Sequence, residues 1–183
     1  MNNDLKRKLA IIFGFTFIDL LGYSLILPLL PYIAERFNAG PAQIGFLLTA
    51  NALAQMIAAP LIGRLSDRWG RRPMLLISIS GTILAFLLLA FSGSFWMLLA
   101  SRILDGLLGG NVSLARAYIT DITDDKTRSQ GLGLIGAAFG LGFIIGPFTG
   151  GQLSRLGYFV PGLAAAGLSL LNLIAVIFWL PES

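Results

Sequence analysis

Gly63-Arg64-Leu65-Ser66-Asp67-Arg68-Trp69-Gly70-Arg71-Arg72-Pro73 sets four arginines and one aspartate between two long apolar runs. So much positive charge in so few residues, flanked by lipid-compatible sequence, reads as a tight basic turn joining two membrane helices on the cytoplasmic face. Gly63 and Gly70 give the backbone the close approach that such a turn requires. Asp67 beside Arg68 and Arg71 makes an ion-pair network at the membrane surface, with Arg72 adding to the charge.

Outward from this turn the chain is 56% hydrophobic and only 12% charged, with a mean hydropathy of +0.81. That is the composition of a membrane protein. Six apolar stretches, about 9–33, 44–62, 73–92, 95–119, 131–153 and 160–180, each approach the ~20 residues that cross a hydrocarbon core of ~30 Å. The expected fold class is an all-α membrane protein, with 1–183 forming a single six-helix transmembrane domain. Six crossings put both termini on one side. Lys6, Arg7, Lys8, Arg64, Arg68, Arg71, Arg72, Lys126 and Arg128 flank that side, while only Arg36 and Arg155 lie in the opposite loops. By the positive-inside rule both termini are cytoplasmic, in a multi-pass protein of the cell (inner) membrane. The basic start is read as a retained first helix, not a cleaved signal, because its apolar run is long, carries Asp19 and lacks a small-residue cleavage pattern.

The net charge of +4 sits in short juxtamembrane loops, so it reports topology and implies no nucleic-acid partner. Trp69, Trp96 and Trp179 suit aromatic anchoring at the headgroups. With no cysteine and no histidine, disulfides, the usual metal ligands and Ser-His or Cys-His nucleophiles are removed. The expectation is a non-enzyme with no metal and no cofactor.

Four charges lie inside the apolar stretches, three of them deep and one, Arg116, near an end. Asp19 and Asp105 each fall near the midplane of their helices, and Arg102 is three residues before Asp105 on the same face. Buried ionisable groups are costly unless paired or wet, so they mark pathways and cavities. Asp19 has no basic residue near it on its own helix, which makes it the stronger candidate for exchanging protons; Arg102 and Asp105 either neutralise each other or act with it. Asn51, Gln55 and Asn111 either join the same cavity or tie helices together. Arg116 is expected to snorkel to the headgroups. In the fifth helix Gly142, Gly146 and Gly150 recur every four residues, with Gly136 and Gly140 behind them, leaving a face of nearly bare backbone. Pro147 removes a donor and favours a bend. Pro60-Leu61-Ile62-Gly63-Arg64-Leu65-Ser66 and Pro147-Phe148-Thr149-Gly150-Gly151-Gln152-Leu153-Ser154 share a Pro, a Gly three residues on and a Leu-Ser, a faint repeat between helices two and five.

The basic turn resembles the loop between helices two and three in the major facilitator superfamily, and the run 140–151 is similar to the signature of its proton-driven drug antiporters. The run from Asp19 to Pro31 closely resembles the first helix of tetracycline/proton antiporters, and Leu180-Pro181-Glu182-Ser183 looks like the end of the family's sixth helix. The resemblance implies half of a major facilitator fold, built as an inverted repeat of three plus three helices. It implies a gating role for Gly63, Asp67, Arg68, Gly70, Arg71 and Arg72, an antiporter helix marked by Gly142, Gly146, Pro147, Gly150 and Gly151, and proton or substrate coupling at Asp19 and Arg102. Ala85 stands where tetracycline antiporters carry an aspartate and Asp105 where they carry a small residue, which argues against tetracycline as substrate. Family members have about twelve helices around a central cavity. The expected function is therefore proton-coupled efflux of cationic or amphipathic drugs by a homodimer, with the glycine face of helix five against Gly45, Ala52 or Ala59 on the partner's helix two. The alternative is an excised or non-transporting N-terminal half that needs a different partner half.

Overall fold

The protein is described here by a computed structural model over residues 3–182; Ser183, the last residue of the sixth-helix motif, lies outside the described residues. Regular structure among those residues is helical throughout. Span one comprises α1 (Asn3–Ile26), a 3₁₀ turn (Leu27–Leu29) and α2 (Leu30–Glu35). Span two is α3 (Pro41–Trp69), span three α4 (Arg71–Ala90), span five α7 (Arg128–Ser154) and span six α8 (Phe159–Trp179). Span four is broken into α5 (Phe95–Leu108) and α6 (Asn111–Ile122). The other five are each long and apolar enough to cross a membrane.

Local chemistry explains the starts and stops. Pro41 opens α3 at a position that needs no amide donor, while the Gln43 side chain accepts from the Gly40 N–H at 2.9 Å. Ser94 caps α5, its Oγ accepting from the Met97 N–H at 3.3 Å. The single helix expected over 95–119 is instead interrupted at Gly109-Gly110, the pair with least helix propensity in that stretch. Carbonyls left over at the break find side-chain donors on neighbouring spans: Ser78 Oγ donates to Leu108 O, and Gln55 Nε2 to Gly109 O at 3.2 Å. A helix can be broken inside a bilayer only when its freed polar groups are satisfied in this way.

The basic stretch departs from the turn expected of it. The α3 helix continues through Asp67 and Arg68 to Trp69, and α4 begins at Arg71, so Gly70 alone, at φ 98°, makes the connection. Apolar sequence marks where lipid ends, whereas helical hydrogen bonding runs on into the polar layer. Gly63 is ordinary helix, and a methyl added there would meet nothing within 4 Å, so no close approach requires it.

Packing follows the inverted repeat. Span one lies chiefly along span five and also packs on six; span four packs about equally on spans two and three, and three packs on six. Exchanging one with four, two with five and three with six maps this set onto itself. Both partners of the first exchange are broken helices, and both of the second carry an internal proline, Pro60 and Pro147. One core cluster gathers near the termini around Leu9, Ile12, Leu75, Ile119 and Val176. Another gathers at the far end around Ile26, Leu30, Leu47, Leu98 and Ala165.

The glycine face of span five, expected to meet a partner's helix two, is occupied within the chain. Gly142, Gly146 and Gly150 are buried against span one of the same chain, where added methyls would strike Leu20, Ser24 and Leu25. That face is therefore not available to a partner's helix two.

Candidate functional site

Between the two apolar clusters lies a cavity of about 420 Å³ walled by spans one to five. Asp19, Asn51, Gln55, Asp105 and Asn111 all line it, so the dispersed polar residues of the apolar stretches converge on one place. Asn111 bridges two walls: its Nδ2 donates to Asp19 Oδ1 at 2.7 Å and to Thr82 Oγ1 at 3.2 Å. Asn111 can do this because it opens α6 just past the break, where its side chain is level with the middle of span one.

A second polar group sits on the span two–span four wall. Asn51 Nδ2 donates to Asp105 Oδ2 at 2.8 Å and to the Arg102 carbonyl at 3.2 Å. Arg102 Nη1 is 3.6 Å from the same Asp105 oxygen, and its guanidinium lies 5.6 Å from the centre of the Phe86 ring. Arg102 is 1% exposed and does not line the cavity; it stands behind Asp105 and Phe86. Its Nε and Nη2 have no hydrogen-bond partner among the described residues. Asp105 therefore meets the cavity while screening the arginine from it.

Several lining residues carry no charge and were not singled out by the sequence reading. Tyr23 and Phe143 face each other across spans one and five, with ring centres 6.4 Å apart, and Phe139 stacks on Phe143 at 5.5 Å. The available signal was spacing: Tyr23 is four residues after Asp19, Phe86 four after Thr82 and Phe143 four after Phe139, each pair on one helical face. Arg116, expected at the headgroups, lines the cavity as well.

The basic segment forms a separate site at the end of the bundle that holds the termini. Arg71 is shared between Asp67, at 2.6 Å, and Asp121 at the end of span four, at 2.8 Å, and also donates to Ser66 Oγ at 3.0 Å. Glu182, just past span six, accepts from the Arg71 and Arg72 amides at 2.6 and 3.2 Å. A carboxylate at those amides satisfies orphan donors of α4 and opposes its dipole. Gly70 is favoured here by its positive φ, and its missing side chain leaves room for the Glu182 carboxylate, 3.0 Å from where a Cβ would lie. Arg72 Nη2 donates to the Ile177 carbonyl at 2.6 Å, and Arg68 is exposed. Asp121 and Glu182 are thus ion-pair and hydrogen-bond partners of the basic segment that its own sequence does not announce, since both lie far from residue 67 along the chain. Pro147 and Gly151 do not line the cavity; they are exposed positions of α7, one and two turns beyond Phe143, and the helix continues through the proline.

The profile of the Major Facilitator Superfamily matches residues 12–183. The chain belongs to the major facilitator superfamily. Among its relatives are the class B and class C tetracycline resistance proteins of Escherichia coli, 40% and 39% identical over 186 and 181 residues. They align with 100% and 97% of this chain, but with only 45% and 46% of their own length. The crystal structure of the human organic anion transporter MFSD10 (TETRAN) superposes with a TM-score of 0.87 at 30% identity, covering 99% of this chain and 49% of that one. This major facilitator chain thus spans about half the length of the curated relatives it matches, and has the fold of one six-helix half. The family consists of transporters.

Proposed function

We propose that this chain is one six-helix half of a proton-coupled exporter, exchanging protons for cationic or amphipathic compounds across the cell (inner) membrane, with both termini cytoplasmic. The observation that carries the reading is Asp19, a carboxyl in the cavity wall held at 2.7 Å by the neutral Asn111 amide. An amide N–H can donate to a carboxyl oxygen in either protonation state, so a proton can come and go without that hydrogen bond being lost. Asp19 and Asp105 favour a cationic group, Arg116 favours a polar one on the same molecule, and the aromatic wall of Tyr23, Phe139 and Phe143 suits the apolar remainder. The Asp67–Arg71–Asp121 group is the proposed gate.

Spans two and five support a second half on this side of the bundle: only 28% of each apolar window is buried, against 50%, 56% and 39% in spans one, three and six. The stripe on span five that remains open includes Gly133, Gly136, Gly140 and Gly151, where added methyls would meet nothing. Against the partner's Gly45, Ala52 and Ala59 it replaces the buried glycine face in the homodimer. A different second half is the alternative reading, favoured by the double length of the relatives.

Proteoliposomes holding the purified chain and a pH gradient test both. Wild type is expected to drive uptake of a fluorescent lipophilic cation, and Asp19→Asn to bind it without coupled movement. Undiminished coupling in Asp19→Asn would sink the role given to Asp19. Transport that begins only when a non-identical second half is added would replace the homodimer.

A further inference from the structure

We propose that the cleft between spans one and six, at the end of the bundle that holds the termini, binds one anionic phospholipid. Two cavities meet there. One, of about 320 Å³, is lined by Asp4, Arg7, Lys8 and Arg72 together with Trp179 and Pro181. The other, of about 470 Å³, runs along Ala10, Gly14, Phe15, Ile18 and Ala175 and is apolar apart from Arg7 and Asn172. Arg7, Ile11 and Trp179 line both, so a charged chamber opens directly into an oily groove. That is the shape of a headgroup joined to an acyl chain.

Charge complementarity selects the headgroup. Three cations face one carboxylate, and that carboxylate, Asp4, is already paired with Lys8 at 3.2 Å. Arg72 spends Nη2 on the Ile177 carbonyl, but its Nε is buried with no hydrogen-bond partner among the described residues. The cationic side chains on the chamber wall call for an anionic acceptor such as a phosphate oxygen. Trp179, 63% exposed, marks the level of the headgroups. The groove selects the rest of the molecule. A methyl added at Gly14 would meet nothing within 4 Å, so the groove floor has room that no protein side chain fills. A free inorganic anion would use the chamber alone and leave the groove unexplained, whereas a bilayer presents headgroup and chain together at this depth.

Native mass spectrometry of the full chain, released from nanodiscs of equal phosphatidylglycerol and phosphatidylcholine, tests the proposal. Wild type should retain one phosphatidylglycerol, preferred by about tenfold over phosphatidylcholine, as expected from basic residues each contributing to anionic-lipid attraction. Arg7→Gln/Lys8→Gln should lose the preference, and Gly14→Leu, which fills the groove without touching the cations, should lower retention of the lipid while the helical circular dichroism is unchanged. Equal retention of both lipids by wild type would overturn the proposal, and so would displacement of the lipid by inorganic phosphate alone. The chain has no cysteine of its own; a disulfide joining two Gly14→Cys chains in lipid would show a second copy in the groove and overturn it as well.

Discussion

The contact of span one with span five and the contact of span four with span two hold equivalent places in the repeat, yet they are made of different material. Between one and five, three glycines let backbones come so close that Leu20, Ser24 and Leu25 occupy the room of missing side chains, and Ser24 Oγ donates across to the Gly142 carbonyl at 2.8 Å. Between four and two, Gly106 allows a similar approach to Asn51 and Ala54, but the seam carries the Asn51–Asp105–Arg102 group and the Gln55 bond to the broken helix. Lipid offers little hydrophobic drive for joining helices, so close packing and polar bonding are the two means available. Here each seam relies mainly on one of them. The packed seam holds no ionisable side chain at its glycine contacts, whereas the polar seam is built on the Asp105 carboxyl.

The largest effect expected from breaking this contrast is at Asp105. Asp105→Leu leaves Arg102 buried without its counter-charge and should cost about 3–5 kcal/mol, read from reversible unfolding in mixed detergent micelles. Replacing both partners, Arg102→Met with Asp105→Leu, should recover most of that loss. A single variant as stable as wild type would mean that the pair does not hold the seam. Next comes Gly146→Ala, whose methyl would collide with Ser24 Oγ and approach the Leu25 amide; overpacking of this kind should cost about 1–3 kcal/mol in the same assay. On the open stripe of the same helix, Gly140→Ala should stay within about 0.5 kcal/mol of wild type, and an equal loss at both positions would erase the distinction between the faces.

The smallest effect belongs to the loop that links the polar seam to the packed one. Asp124 Oδ1 accepts from the Thr127 hydroxyl at 2.7 Å and its amide at 2.9 Å, and these bonds hold its carboxyl below the usual carboxylate range. Because the folded-state value is depressed, the contribution is present above the unfolded pKa and is lost as pH falls through the folded one. Protection of the amides at the start of α7, measured against their intrinsic exchange rate at each pH, should therefore fall only in acid, and Asp124→Asn should weaken that pH response.

How much of this could be read in advance follows from what is local in sequence. Six apolar stretches, the polar residues within them and the basic segment are visible because each depends on its own neighbours. The helical character of Asp67 and Arg68 was hidden, since hydropathy reports where lipid ends and not where hydrogen bonding ends. The break at Gly109-Gly110 was hidden too, because two glycines in an apolar run are tolerated until Ser78 and Gln55 are known to stand beside them. The same reason hid Asp121 as the second partner of Arg71, although Asp67, one helical turn away, could be read in advance, and it hid the use of Gly142, Gly146 and Gly150 by span one. A bare helical face announces close packing without saying which helix will supply it.

The break in span four is also tethered. Its two pieces, α5 and α6, meet at a joint whose leftover carbonyls are held by Ser78 on span three and Gln55 on span two. Tilting one piece against the other stretches both bonds at once, and at about 1 kcal/mol each their loss would slow that swing by roughly 30-fold relative to an untied hinge. Asn111, the first residue of α6, also holds the Asp19 carboxyl, so such a tilt would pull on that hydrogen bond as well.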